Sequence, residues 1–143
     1  MDINHYADTE YVLTFPSIDT VIKRILDCGN DCFIAKIDIS RAFRHLPVDP
    51  RDISSLGLYW EGSYYLDFRV PFGYRTGSGN FQRTSDAVRY IMSEKYNHHV
   101  INYCDDFLLI NNFEKCEESF KILSKLLRDL GFTLAEKKLR GSN

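Results

Sequence analysis

Two adjacent carboxylates, Asp105 and Asp106, interrupt an otherwise apolar stretch, His99-Val-Ile-Asn-Tyr-Cys-Asp-Asp-Phe-Leu-Leu-Ile110. A strand rich in Val, Ile, Phe and Leu is built for burial, and a partly buried carboxylate is costly unless it is paired or metal-bound. Two short apolar arms around Cys104-Asp105-Asp106 predict a tight hairpin with the carboxylates at its tip. Adjacent like charges in that setting make a cation the natural partner, and oxygen-only ligation favours a hard one such as Mg2+. A second apolar segment, Phe33-Ile-Ala-Lys-Ile-Asp-Ile39, carries one more carboxylate, Asp38, which is expected to complete the site.

The elements around these segments follow from periodicity and punctuation. Ser17 is a plausible N-cap for an amphipathic helix through Ile18, Val21, Ile22, Ile25 and Leu26, with Gly29-Asn30 as its stop. Residues 33–39 read as a buried strand. Pro47 and Pro50 make 44–53 a loop or short irregular helix. Leu56-Gly-Leu-Tyr-Trp60 and Tyr64-Tyr-Leu-Asp-Phe-Arg-Val70 flank Glu61-Gly62-Ser63, a three-residue hairpin signal. A glycine-bearing loop over 71–79 leads into a helix from Asn80 to about Tyr96. Phe113, Cys116, Phe120, Leu123, Leu127 and Leu130 recur at spacings of 3, 4, 3, 4 and 3, a helical core stripe. Gly131 ends that helix and Phe132-Thr-Leu134 begins another strand. Helices interleaved with antiparallel hairpins predict an α+β layer, a sheet with helices packed on one face.

At 143 residues, 44% of them hydrophobic and 27% charged, the chain has the size and composition of one globular domain. No run approaches the ~18 apolar residues of a membrane span, and no signal-peptide pattern opens the chain, so no membrane partner is expected and an intracellular site, cytoplasmic or nuclear, is the default. Cys28, Cys32, Cys104 and Cys116 fit neither a redox motif nor a zinc finger and read as reduced thiols. A net charge of −2 does not by itself point to nucleic acid, which usually calls for a basic stripe. The basic residues Lys121, Lys125, Arg128, Lys137, Lys138 and Arg140 make only a modest cluster.

Four segments together resemble the palm motifs of reverse transcriptases. Lys36-Ile-Asp-Ile-Ser-Arg-Ala-Phe-Arg-His-Leu-Pro-Val48 resembles the first, an Asp five residues before an aromatic. Val70-Pro-Phe-Gly-Tyr-Arg-Thr-Gly-Ser-Gly-Asn-Phe-Gln82 resembles the second, and Tyr103-Cys-Asp-Asp106 matches the Tyr-x-Asp-Asp signature of the third. Leu130-Gly-Phe-Thr-Leu-Ala-Glu-Lys-Lys138 resembles the fourth. The resemblance runs in order over roughly residues 15–140. With Tyr59-Trp-Glu-Gly between the first two motifs, it is most similar to retrotransposon enzymes of the DIRS or Ty3/gypsy type.

The resemblance implies a polymerase palm fold and an RNA-directed DNA polymerase. In that reading a pair of Mg2+ ions (Mn2+ as a substitute) bridges the carboxylates during transfer of a dNTP to a primer 3′-hydroxyl, on an RNA or DNA template. Asp38 and Asp105 are the main metal ligands, with the Ile39 carbonyl helping and Asp106 beside them. Phe43 matches the aromatic under the sugar that rejects a 2′-hydroxyl, which argues against an RNA-dependent RNA polymerase or a nucleotide cyclase. Tyr103 lies near the primer end, while Phe72, Gly73 and Arg75 support nucleotide and template. Lys138, or its neighbour Lys137, protonates the leaving pyrophosphate.

Where relatives often have Ser-Ala-Pro or a similar run, this chain has Thr76-Gly-Ser-Gly-Asn80, whose glycines are expected to loosen the start of the following helix. The same resemblance makes residues 1–143 a single palm fragment. Basic fingers are expected before residue 15, a primer grip and thumb after residue 140, and RNase H elsewhere in the parent element. The fragment alone is therefore expected to lack processive activity. A different class of function is a domesticated or truncated remnant that acts as a non-catalytic binding module.

Overall fold

The computed structural model describes residue 4, residues 14–135 and the pair 140–141. Its order is α1 (Ile18–Cys28), β1 (Phe33–Asp38), β2 (Gly57–Trp60), β3 (Ser63–Leu66), α2 (Gly77–Tyr96), β4 (Ile101–Tyr103), β5 (Asp106–Asn111), α3 (Phe113–Asp129) and β6 (Arg140–Gly141). Strands β4, β5, β1 and β6 form one antiparallel sheet in that spatial order, and β2 with β3 forms a separate two-stranded hairpin.

Side-chain alternation divides the sheet into two differently used faces. Ala35, Ile37 and Ile39 of the first strand segment and Phe107 and Leu109 of β5 point to one side. There they meet Phe81, Val88 and Met92 of α2 and Cys116, Leu123 and Leu127 of α3 in the main core. The intervening residues Ile34, Leu108 and Ile110 point the other way, and with Ile101 they pack against Val21, Ile25 and Cys28 of α1. The α+β layer is thus present, but only α2 and α3 share a face; α1 covers part of the opposite one. The physical reason is that β1 and β5 carry apolar residues at both parities, so either face left bare would expose them. Apolar cover from α1 reaches those positions, and Ile18 and Val21 at its start also line a cavity with Lys36, Tyr103 and Asp106. Lys36, Asp38 and Asp106 have the same parity and continue this face beyond them.

Capping fixes the helix ends as the sequence suggests. The Ser17 hydroxyl accepts the Thr20 N–H at 3.3 Å, and Gly29 closes α1 at a φ of 80°. Asn112 caps α3 by accepting the Lys115 N–H at 3.0 Å, and Gly131 at φ 89° follows its end. α2 stops at Asn97 in the left-handed region.

Four boundaries differ from the sequence expectation. Helix α2 begins at Gly77, not Asn80, so the glycines form its first turn instead of loosening it. A Cβ at Gly77 would lie 3.1 Å from Val70 Cγ1 and 3.8 Å from Phe43 Cδ1. Glycine here permits a close approach of helix to loop. The β2–β3 turn is the two residues Glu61 and Gly62, both at positive φ, as a hairpin that follows the strand twist requires. β3 ends at Leu66; the Asp67 N–H still donates to the Leu56 carbonyl at 3.2 Å, while its carboxylate accepts Arg44 and the Arg69 N–H. Finally, 132–134 makes only one bridge, Leu134 to Ile39, since Phe132 turns inward against the rings of His45 and Phe81. The second neighbour of β1 is instead residues 140–141.

The β2–β3 hairpin is unusual in its exposure. Leu58, Trp60 and Tyr65 lie on one of its faces and Tyr59, Tyr64 and Leu66 on the other, all of them exposed.

Candidate active site

Antiparallel register places Asp38, the last residue of β1, directly opposite Asp106, the first residue of β5. Tyr103 pairs with Asp106 across the β4–β5 hairpin, which leaves Cys104 and Asp105 as its two-residue turn. The turn is tied to the neighbouring strand by the Ile39 N–H, which donates to the Asp105 carbonyl at 3.0 Å. Asp38, Ile39, Tyr103, Asp105 and Asp106 therefore meet at one end of the sheet.

The turn has a conformational cost that α2 offsets. Cys104 has a φ of 48°, a region in which a side-chain-bearing residue is strained by about 1–3 kcal/mol. Both of its backbone groups are held by α2. Its N–H donates to Gln82 Oε1 at 2.8 Å, and its carbonyl accepts the Ser85 hydroxyl. Gln82 is itself fixed, because its Nε2 donates to Asp86 Oδ1 at 3.1 Å, and that same oxygen accepts Asn102 Nδ2 at 3.0 Å. Gln82, Ser85 and Asn102 are all buried, so these bonds have no water to replace them.

Electrostatically the end of the sheet is a carboxylate cluster with one internal cation. Burial pushes the Asp105 carboxyl above its ordinary value of 3.8, the neighbouring Asp106 and Asp38 charges push it further, and Lys36 opposes them. Lys36 Nζ lies 2.5 Å from Asp106 Oδ2. Burial likewise raises the Cys104 thiol, with Asp105 and Asp106 adding to the effect, so this cysteine stays protonated at neutral pH.

The remaining expected residues form an adjoining group. Phe43 sits in a short 3-10 turn over 42–45, edge-on to Phe72 at 5.6 Å and to Phe81 at 6.1 Å, and beside Gly77. Phe72 is exposed and Gly73 adopts a φ of 84°. The Arg75 N–H donates to Asn4 Oδ1 at 2.8 Å, while Asn4 Nδ2 donates to the Gly73 carbonyl at 2.9 Å, so one asparagine pins the loop. The exposed ring of Tyr103 stacks on Phe15 with centroids 4.5 Å apart. Phe81 bridges the two groups, since it touches Phe43 and immediately precedes Gln82 in the sequence. Lys137 and Lys138 lie outside the described residues.

Sequence reasoning missed the roles of Lys36, Gln82, Ser85, Asp86 and Asn102. Lys36 was legible in principle, because residues i and i+2 of a strand share a face and Lys36 precedes Asp38 by two. The Gln82 contact depends on how α2 docks against the hairpin, which no local pattern encodes.

Among the described residues no three His, Cys, Asp or Glu side chains are gathered closely enough to hold an ion as they stand. The donor chemistry nonetheless fits a hard divalent cation: the three carboxylates sit at one end of the sheet, all oxygen donors, and Asp106 is already engaged by a positive charge. Two of the basic residues of α3 are paired locally, Lys121 with Glu117 at 2.8 Å and Lys125 with Asp129 at 2.5 Å. Among the described residues no helix is long and apolar enough to cross a membrane.

An antiparallel sheet backed by two helices, with carboxylates at a hairpin tip and at the end of the paired central strand, defines a polymerase-palm-like domain. The chain belongs to the family described as reverse transcriptase (RNA-dependent DNA polymerase), whose model matches residues 3–142. It is 25% identical over 96 residues to the retrovirus-related Pol polyprotein from transposon 297 of Drosophila melanogaster, covering 67% of this chain and 8% of that protein. Among solved structures it is similar to the native protease-reverse transcriptase of prototype foamy virus, with a TM-score of 0.59 and 24% identity over 76% of this chain and 14% of the other. The foamy viral enzyme in complex with an RNA/DNA hybrid matches with a TM-score of 0.58, also at 24% identity and over the same shares. The chain therefore spans a small part of the length of the relatives it matches. Members of the family use divalent metal ions.

Proposed function

We propose that this chain is the catalytic palm of a retroelement RNA-directed DNA polymerase, which adds dNTPs to a primer 3′-hydroxyl along an RNA or DNA template. One observation carries the reading: Asp38, Asp105 and Asp106 converge at a strained turn that α2 holds by both backbone groups of Cys104. Strain that a buried network over-determines is characteristic of a functional site.

Bound Mg2+, or Mn2+ in its place, supplies Lewis-acid activation of the primer hydroxyl and neutralises charge on the triphosphate. Asp38 and Asp105 hold the metal pair, with the Ile39 carbonyl and Asp106 alongside. The Phe43 ring, braced edge-on by Phe72 and Phe81, closes the space a ribose 2′-hydroxyl would need. Tyr103 faces the primer terminus from the same strand face as the carboxylates. Phe72, Gly73 and Arg75 support the incoming nucleotide and the template from the loop that Asn4 pins. Lys138 serves as the proton donor to pyrophosphate. Residues 1–143 supply the palm, and the fingers, primer grip, thumb and RNase H belong to the rest of a parent polypeptide.

The test is primer extension by the full-length parent polypeptide carrying Asp105→Asn. Extension is expected to fall by several orders of magnitude with the circular-dichroism spectrum unchanged. Near-native synthesis would overturn the assignment.

A further inference from the structure

Lys36 stands where a metal-binding site has no evident use for it. It lies on the strand face that carries Asp38 and Asp106, two positions before Asp38 and two residue pairs along the ladder, opposite Leu108. Its ammonium reaches past its own strand to Asp106 Oδ2 at 2.5 Å. Both members of the pair are about two-fifths exposed, so the bond can open into solvent without stranding a buried charge. Asp106 Oδ2 is turned toward Lys36, and among the described residues the three acids do not close into a cage.

We infer that Lys36 is a built-in counter-cation of the carboxylate cluster, a positioning residue that holds the Asp106 carboxylate while no divalent ion is bound and gives it up when one enters. A divalent ion must then displace the ammonium before Asp106 can serve it. Lys36 thus weakens metal binding to the free site while keeping three neighbouring carboxylates compatible with a folded hairpin. The inference deepens the metal-site reading above and rests on it.

The probe is Mn2+ alone, titrated into the 143-residue chain and followed by the electron paramagnetic resonance signal of the free ion. Lys36→Gln removes the competing charge and should tighten binding roughly fivefold, the upper range of what a partly exposed ion pair is worth. Lys36→Arg retains the charge and should stay within about twofold of native, since either cation can occupy the carboxylate. Without metal, Lys36→Gln should melt earlier than native, and saturating Mn2+ should raise its midpoint by more. Asp105→Asn separates the two ideas. If it weakens Mn2+ binding while Lys36→Gln leaves the affinity unchanged or lowers it, the counter-cation role is wrong and the metal site stands. If Asp105→Asn has no effect on Mn2+ binding, the metal-site reading fails and the inference falls with it. A circular-dichroism check confirms that each variant is folded.

Discussion

Replacing Gln82 by leucine isolates the contact that joins α2 to the hairpin tip. Leucine keeps nearly the same volume but removes the carbonyl that accepts the Cys104 N–H at 2.8 Å and the amide that donates to Asp86 at 3.1 Å. The site is 2% exposed, so no solvent enters to take either place. A buried donor left unpaired costs about 1–3 kcal/mol, and an apolar side chain in place of an amide returns only part of that. The Cys104 backbone also loses one of the two bonds that hold it at φ 48°. A net loss of about 2 kcal/mol follows, read as a lower urea midpoint at unchanged m-value and a melting temperature lower by roughly 4–8 °C for a chain of this size. Hydrogen exchange at the Asp105 and Asp106 amides should accelerate by more than exchange in α3, because the damage is local to the turn. A Gln82→Leu variant within about 0.5 kcal/mol of native, with unchanged exchange at the tip, would refute the clamp.

Two other perturbations probe the adjoining group and the loop network. Phe43→Ala in the full-length polymerase should increase ribonucleotide incorporation relative to deoxyribonucleotide incorporation, measured by single-nucleotide extension; an unchanged ratio would remove Phe43 from sugar selection. Arg44 Nη1 lies 2.6 Å from Asp67 Oδ2 and holds that carboxyl below its ordinary 3.8, with the Arg69 N–H assisting. Because the folded value is depressed, the folded state binds fewer protons than the unfolded one in this range. The contribution is therefore present above about pH 4 and is lost as pH falls below it. Urea midpoints at pH 6 and pH 3 should accordingly fall further apart in the native chain than in Arg44→Gln, and equal differences would count against the pair.

Much of the architecture was legible because it is written in short-range signals. Ser17 and Gly29 bracket α1, the 3-and-4 stripe gives α3, and the carboxylates at a hairpin tip follow from charges that an apolar strand cannot carry inside. What escaped depends on docking. Gly77 looks like a loop residue until Val70 and Phe43 are seen against the first turn of α2, where a side chain would crowd them. Phe132 has the pattern of a strand residue, yet its ring contacts with His45 and Phe81 pull the segment out of the ladder. The second use of α1, against the opposite sheet face, was implicit in the double-sided hydrophobicity of β1 and β5. Asp38, Asp105 and Asp106 announced themselves by chemistry. Lys36 and Gln82 did not, since a lysine in a strand and a glutamine in a helix are unremarkable until their partners are known.

The β2–β3 hairpin carries a hazard and a guard against it. Its strands are short and rich in β-formers, with aromatic or aliphatic side chains on both sides, the composition that promotes stacking of like segments into fibrils. Its only residue charged at neutral pH between Gly57 and Leu66 is Glu61, at the very bend. In an in-register stack that carboxylate would recur every ~4.8 Å along the fibril axis, one negative charge above the next with no counter-ion built in. A single glutamate at the turn thereby works as a gatekeeper, holding apart copies of a ribbon whose side chains would otherwise welcome one another.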